Sequence, residues 1–110
     1  MQEFANILAM GALANLTFLG LNGNQIGDPG LTSLAGAVAK GALANLNKLF
    51  LHTNKIGDQG LTSLADACAK GALASLKKLY IGNNLFGDAA KEQLKAVCKS
   101  RGITGSSFRS

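Results

Sequence analysis

The chain repeats itself every 30 residues. Self-similarity at a fixed period constrains the fold more than any other feature, because every unit must build the same structure and bury its apolar side against its neighbours. Residues 11–40 read GALANLTFLGLNGNQIGDPGLTSLAGAVAK, residues 41–70 read GALANLNKLFLHTNKIGDQGLTSLADACAK, and residues 71–100 read GALASLKKLYIGNNLFGDAAKEQLKAVCKS. The first two units agree at 21 of 30 positions and the second and third at 12 of 30, so the last has drifted within the same frame. Residues 1–10 fit the end of a unit, with Phe4 in the column of Leu34 and Leu64. They are expected to form the leading helix of a partial repeat. The repeat domain is expected over residues 1–100 and a polar tail over residues 101–110.

Each unit contains two hydrophobic periods. Leu19 and Leu21, Leu49 and Leu51, and Leu79 and Ile81 alternate with non-leucine residues, the spacing of a short strand with one buried face. Leu31, Leu34, Ala35 and Val38, and Leu61, Leu64, Ala65 and Cys68, then recur at helical intervals. Asp28, Asp58 and Asp88 stand where a carboxylate caps a helix start, Pro29 suits a first helical position, and Gly41 and Gly71 suit the stops. A strand and a helix repeated in tandem make a parallel sheet, because each helix carries the chain back to start the next strand in the same direction. Strands stack about 4.8 Å apart while packed helices need roughly 8–10 Å, so the helix side fans out and the sheet lines a concave face. The expected fold is an α/β solenoid with a curved parallel sheet inside and helices outside.

The residues that build this pattern follow LxxLxLxxNxI. It occurs as Leu16, Leu19, Leu21, Asn24, Ile26, again as Leu46, Leu49, Leu51, Asn54, Ile56, and as Leu76, Leu79, Ile81, Asn84, Phe86. The pattern resembles the leucine-rich repeat, and the long helical unit resembles its ribonuclease-inhibitor-like subfamily. That resemblance implies a solenoid that binds a protein ligand. The asparagine column reads as structural, each amide pairing backbone groups that the bend after the strand leaves open.

Composition narrows the function. No apolar run approaches the ~18–20 residues needed to cross a bilayer. The first ten residues carry Glu3 and no basic leader, so they are not read as a secretory signal. Two cysteines without a CxxC pair suggest free thiols in a reducing, intracellular (cytoplasmic) setting, with Cys68 and Cys98 as core residues. His52 is the single histidine and has no companions at metal-ligand or acid–base spacing. No nucleophile, base and orienting group can be assembled, nor a phosphate loop, so an enzyme, a metal site and a cofactor are not expected.

The informative positions lie between the strand leucines, where a side chain points out of the concave face. Nine positions differ between the first two units, and five of them are strand or strand-flanking positions: 17, 18, 20, 22 and 23 against 47, 48, 50, 52 and 53. The frame is held while one surface diverges. The candidate partner-binding residues are Phe18, Asn22, Lys48, Phe50, His52, Thr53, Lys78, Tyr80 and Asn83. Phe50 and Tyr80 share a column on adjacent strands, with Phe18 one position off, and suit a hydrophobic anchor. Lys48 and Lys78 also share a column, a like-charge pairing that folding does not ask for and an acidic protein partner would. Basic residues outnumber acidic ones by seven to two over residues 71–110, partly on the last helix, where Lys91 replaces the core leucine of Leu31 and Leu61 as a solvent-facing cap would. Two other readings stay open: a structural segment or built scaffold that continues a longer solenoid or associates end to end, and nucleic-acid binding through Lys48, Lys77, Lys78, Phe50 and Tyr80.

Overall fold

The computed structural model describes residues 15–103, in which strand and helix alternate three times: β1 (Phe18–Gly20), α1 (Gly27–Ala39), β2 (Lys48–Phe50), α2 (Asp58–Ala69), β3 (Lys78–Tyr80) and α3 (Asp88–Arg101). The expected leading helix over residues 1–10 lies outside the described residues. The strands form one parallel sheet in the order β1-β2-β3. Its register is offset by one whole repeat, Leu19 pairing with Leu49 and Leu49 with Leu79. On the other side α1 packs on α2 and α2 on α3. The sheet is open, with β1 and β3 at its edges.

One apolar core runs between the two layers. Leu46, Leu49, Leu51 and Ile56 from the sheet side meet Leu31, Leu34, Leu61 and Leu64 from the helices, all at most 1% exposed. Cys68 and Cys98 sit in this core as free, buried thiols. Desolvation by burial raises both thiol pKa values: Cys68 is pushed up despite the nearby Arg101 charge, and Cys98 rises to about 11, with Cys68 adding to the burial effect. Lys91 is half-buried at the column that Leu31 and Leu61 fill elsewhere.

The helix stops follow the sequence. Gly41 and Gly71 both adopt φ +101°, which a side chain would strain. Their amides bond Val38 O and Cys68 O, and the next amides, of Ala42 and Ala72, reach back to Ala37 O and Ala67 O. Both ends are therefore closed by the paired bonds of a Schellman motif. In α3 the helix runs on through Arg101, in the column of Gly41 and Gly71, before Gly102 makes the same turn at φ +73° and Ile103 is buried. Residues 104–110, the rest of the expected tail, lie outside the described residues.

The helix starts differ from expectation. None of the three aspartates caps its own helix: Gly57 and Gly87 are the N-caps of α2 and α3, and Asp58 and Asp88 are already inside the first turn, too far along to fold back. Helix α1 starts at Gly27, so Pro29 is its third residue, still among the positions whose amide has no partner within the helix. The carboxylates reach forward instead. Asp28 Oδ1 accepts from Gly57 N and Gly60 N, each at 2.8 Å, and Asp58 Oδ1 accepts from Gly87 N at 2.6 Å. Each bond places negative charge at the positive end of the neighbouring helix. The approach requires glycine: a Cβ on Gly60 would stand 2.6 Å from Asp28 Oδ1, and one on Gly57 2.9 Å from Asp28 Oδ2.

The asparagine column works in the opposite direction. Asn54 Oδ1 accepts from Asn24 N at 2.7 Å and Ile26 N at 3.4 Å in the preceding repeat, while Nδ2 donates to Leu21 O, Leu51 O and His52 O. Asn84 repeats this one unit on, accepting from Asn54 N and Ile56 N and donating to Leu51 O, Ile81 O and Gly82 O. Arg101 closes the far side: its guanidinium donates to Cys68 O, Ala72 O and Leu73 O, adding a second donor to Cys68 O and Leu73 O, which already accept from Gly71 N and Leu76 N.

Candidate functional site

Each strand is only three residues long, so two positions per strand face outward: Phe18 and Gly20, Lys48 and Phe50, Lys78 and Tyr80. The middle leucine of β2 and of β3 is 1% exposed, while the outward residues of these strands are exposed or half-buried. The other expected residues flank the strands. His52 is half-buried, Asn22 is exposed, and Thr53 and Asn83 are exposed in the turn beyond, at φ +60° and +54°, where Asn83 Nδ2 donates to Thr53 Oγ1 at 3.1 Å. Gly82, in the column of Asn22 and His52, is buried and offers no outward surface, against the expectation for that column. Asn47 is half-buried and donates to Ser75 O.

The aromatic side chains converge. Phe50 and Tyr80, paired across β2 and β3, stack with ring centroids 4.5 Å apart and planes 26° from parallel. Phe18 pairs in register with Lys48, not Phe50, yet its ring lies edge-on to Phe50 at 4.9 Å. Gly20 makes this possible. It holds the column of Phe50 and Tyr80 without a side chain, and the Phe18 ring folds over it: a Cβ on Gly20 would lie 3.4 Å from Phe18 Cζ. The glycine in a column otherwise aromatic is the sequence signal for this contact. His52 joins the cluster, its ring 5.9 Å from Phe50 and 6.5 Å from Tyr80. Among the described residues its Nδ1 is the buried side-chain polar atom with no hydrogen-bond partner.

This geometry sets the electrostatics. The stacking axis of Phe50 and Tyr80 runs from strand to strand, so the rings stand on edge and turn their electropositive edges toward solvent. Lys48, Lys77 and Lys78 are exposed beside them, with Lys48 and Lys78 directly paired in the sheet. Every acidic residue among the described residues, Asp28, Asp58, Asp66, Asp88 and Glu92, lies on a helix. The one ion pair among them joins Lys95 to Glu92 on α3. The sheet face therefore carries positive charge with no acid of its own. At the foot of β1 and β2 an open depression is lined by Thr17, Phe18, Asn45, Asn47, Lys48 and Phe50. No group of three or more His, Cys, Asp or Glu among the described residues could hold a metal ion, and no described helix is long and apolar enough to cross a membrane.

Comparison with known proteins agrees with the architecture. Residues 12–35 and 42–65 match the family model described as Leucine Rich repeat, each match running from the residues before a strand into the helix that follows it. None of the curated proteins compared with the chain matches it. Leucine-rich repeats generally mediate protein–protein interaction and form a non-enzymatic family. With the matched units stacked as strand, asparagine turn and helix, the chain is a leucine-rich repeat protein.

Proposed function

We propose that this protein binds a partner protein on the open face of its sheet, with Phe18, Phe50 and Tyr80 as the apolar anchor and Lys48 and Lys78 selecting an acidic surface. Asn22, His52, Thr53 and Asn83 border the contact. The observation that carries the reading is the aromatic cluster itself. Three rings within stacking distance lie on the side of the sheet away from the core, where packing does not require them. Such clusters, rigid and already in contact, lose little conformational freedom on binding and are the usual energetic centre of an interface. The unpaired lysines add attraction at a distance, which raises association rates for an acidic partner.

The test is affinity capture with the wild-type chain and with a variant carrying Phe50→Ala, Tyr80→Ala and Lys78→Glu, its fold checked by circular dichroism. These residues lie outside the core, so the variant is expected to fold. A protein retained by the wild type and lost by the variant supports the reading. Equal capture by both chains, or capture by neither, overturns it in favour of a structural segment.

A further inference from the structure

We infer that the partner meets this face through a short acidic segment crossing the strands, two carboxylates seated on Lys78 and Lys48 and a large apolar side chain seated on Phe18. The inference rests on the reading of the sheet as the binding face and adds the chemistry and order of what binds there.

Register carries it. Phe18, Lys48 and Lys78 are successive partners in one column of the sheet, so a segment running across the strands meets an ammonium, a second ammonium and then a half-exposed ring. Adjacent strands lie about 4.8 Å apart, while alternate residues of an extended chain lie about 6.8 Å apart. The flexible four-carbon stem of lysine absorbs the difference of about 2 Å per step. Five extended residues therefore span the column with residues one, three and five facing it. A helical ligand would need residues about four apart and more than two turns to meet the same three groups.

The neighbouring column supports the same sign of charge. Phe50 and Tyr80 turn one face each on the other, which withdraws that pair of faces from a bound cation, and their outward edges attract anions. Where the apolar residue would land, the depression between Phe18 and Phe50 offers two aromatic walls with Thr17 and Asn47 at its polar margin.

The chain carries its own reporters. Tyr80 is the only tyrosine, tryptophan is absent, and His52 is the only histidine, so tyrosine emission and the imidazole proton resonances both come from this face. The full chain would be titrated with the pentapeptide Glu-Ala-Glu-Ala-Phe and its reverse, with Lys-Ala-Lys-Ala-Phe, with Glu-Ala-Glu-Ala-Ala, and with oligothymidylate. Saturable changes at Tyr80 and His52 are expected with the acidic, phenylalanine-containing peptide in at least one order, and none with the lysine peptide. The alanine-ended peptide is expected to bind about tenfold more weakly. Phe18→Ala should erase that tenfold difference, and Lys48→Glu with Lys78→Glu should transfer binding from the glutamate to the lysine peptide. A response to the lysine peptide or to oligothymidylate but not to the glutamate peptides overturns the inference and leaves the sheet as a binding face for another ligand. Silence with every probe, in a chain that circular dichroism shows to be folded, also overturns it. The capture comparison, which assumes no ligand charge, then judges the broader reading by itself.

Discussion

The amide of Asn54 joins five backbone groups in two repeats, two as acceptor and three as donor. It is 0% exposed, so water cannot replace those partners. Asn54→Ala strips all five at once. Leu21 O, Leu51 O and His52 O keep a second donor in Asn24 Nδ2, Asn84 Nδ2 and Gly23 N, but the Asn24 and Ile26 amides lose their acceptor, at about 1–3 kcal/mol each. A loss of about 3 kcal/mol or more is expected from urea unfolding, with Asn54→Asp no rescue because a carboxylate sets an acceptor oxygen against the three carbonyls where the amide sets a donor. Sequence showed that this column was structural, since three asparagines recurred one period apart. It did not show the direction of reach, because spacing along a chain does not say which neighbour a side chain faces. The thiols give a second residue-scale prediction. Cys68 and Cys98 have pKa values raised on folding, so the unfolded chain ionises first as pH rises from about 9 toward 11. Stability contributed by the neutral buried thiols is complete below pH 9 and falls through that window. The unfolding midpoint should drop between pH 8 and pH 11, and less so in the Cys68→Ala and Cys98→Ala double variant. Essentially constant midpoints in both chains would refute this.

At the level of the element, periodicity was a sufficient guide to type. Alternating leucines gave three-residue strands and the three-to-four spacing gave the helices, because burial on one face is what both patterns encode. The glycine stops were equally legible, since a left-handed turn excludes most other residues. Gly71→Ala places a side chain at φ +101° with nothing nearby to clash, so its cost is backbone strain alone. About 1 kcal/mol is expected, read as a lowered thermal midpoint with an unchanged circular dichroism spectrum. The helix starts were not legible. An aspartate before a helical run normally serves its own helix, and only the stacking of repeats shows that Asp28 serves Gly57 and Gly60 of the next unit. The third repeat shows the dependence on glycine. Ala90 stands where Gly60 does, and Asp58 keeps the bond from Gly87 alone of the two that Asp28 makes.

For the molecule as a whole, the candidate face could be located in the sequence by asking where two near-copies differ. That comparison found Phe18, Phe50 and Lys48 but not the contact of Phe18 with Phe50, which depends on a missing side chain at Gly20. The cross-repeat bonds have a further consequence. Asparagines reach back one unit and aspartates reach forward one unit, so every unit supplies what its neighbours lack at a separation close to 30 residues. Length is then quantised. A second copy of residues 41–70 inserted after Lys70 would meet every one of these demands, and the longer chain is expected to melt several degrees higher, roughly 5 °C. An insertion of half that length at the same place would put Asn84 opposite the end of a helix and Asp58 opposite the loop before a strand, and the third repeat should fail to melt cooperatively with the first two. The ladder acts as a ruler that accepts growth or loss of chain only by the whole turn of the solenoid.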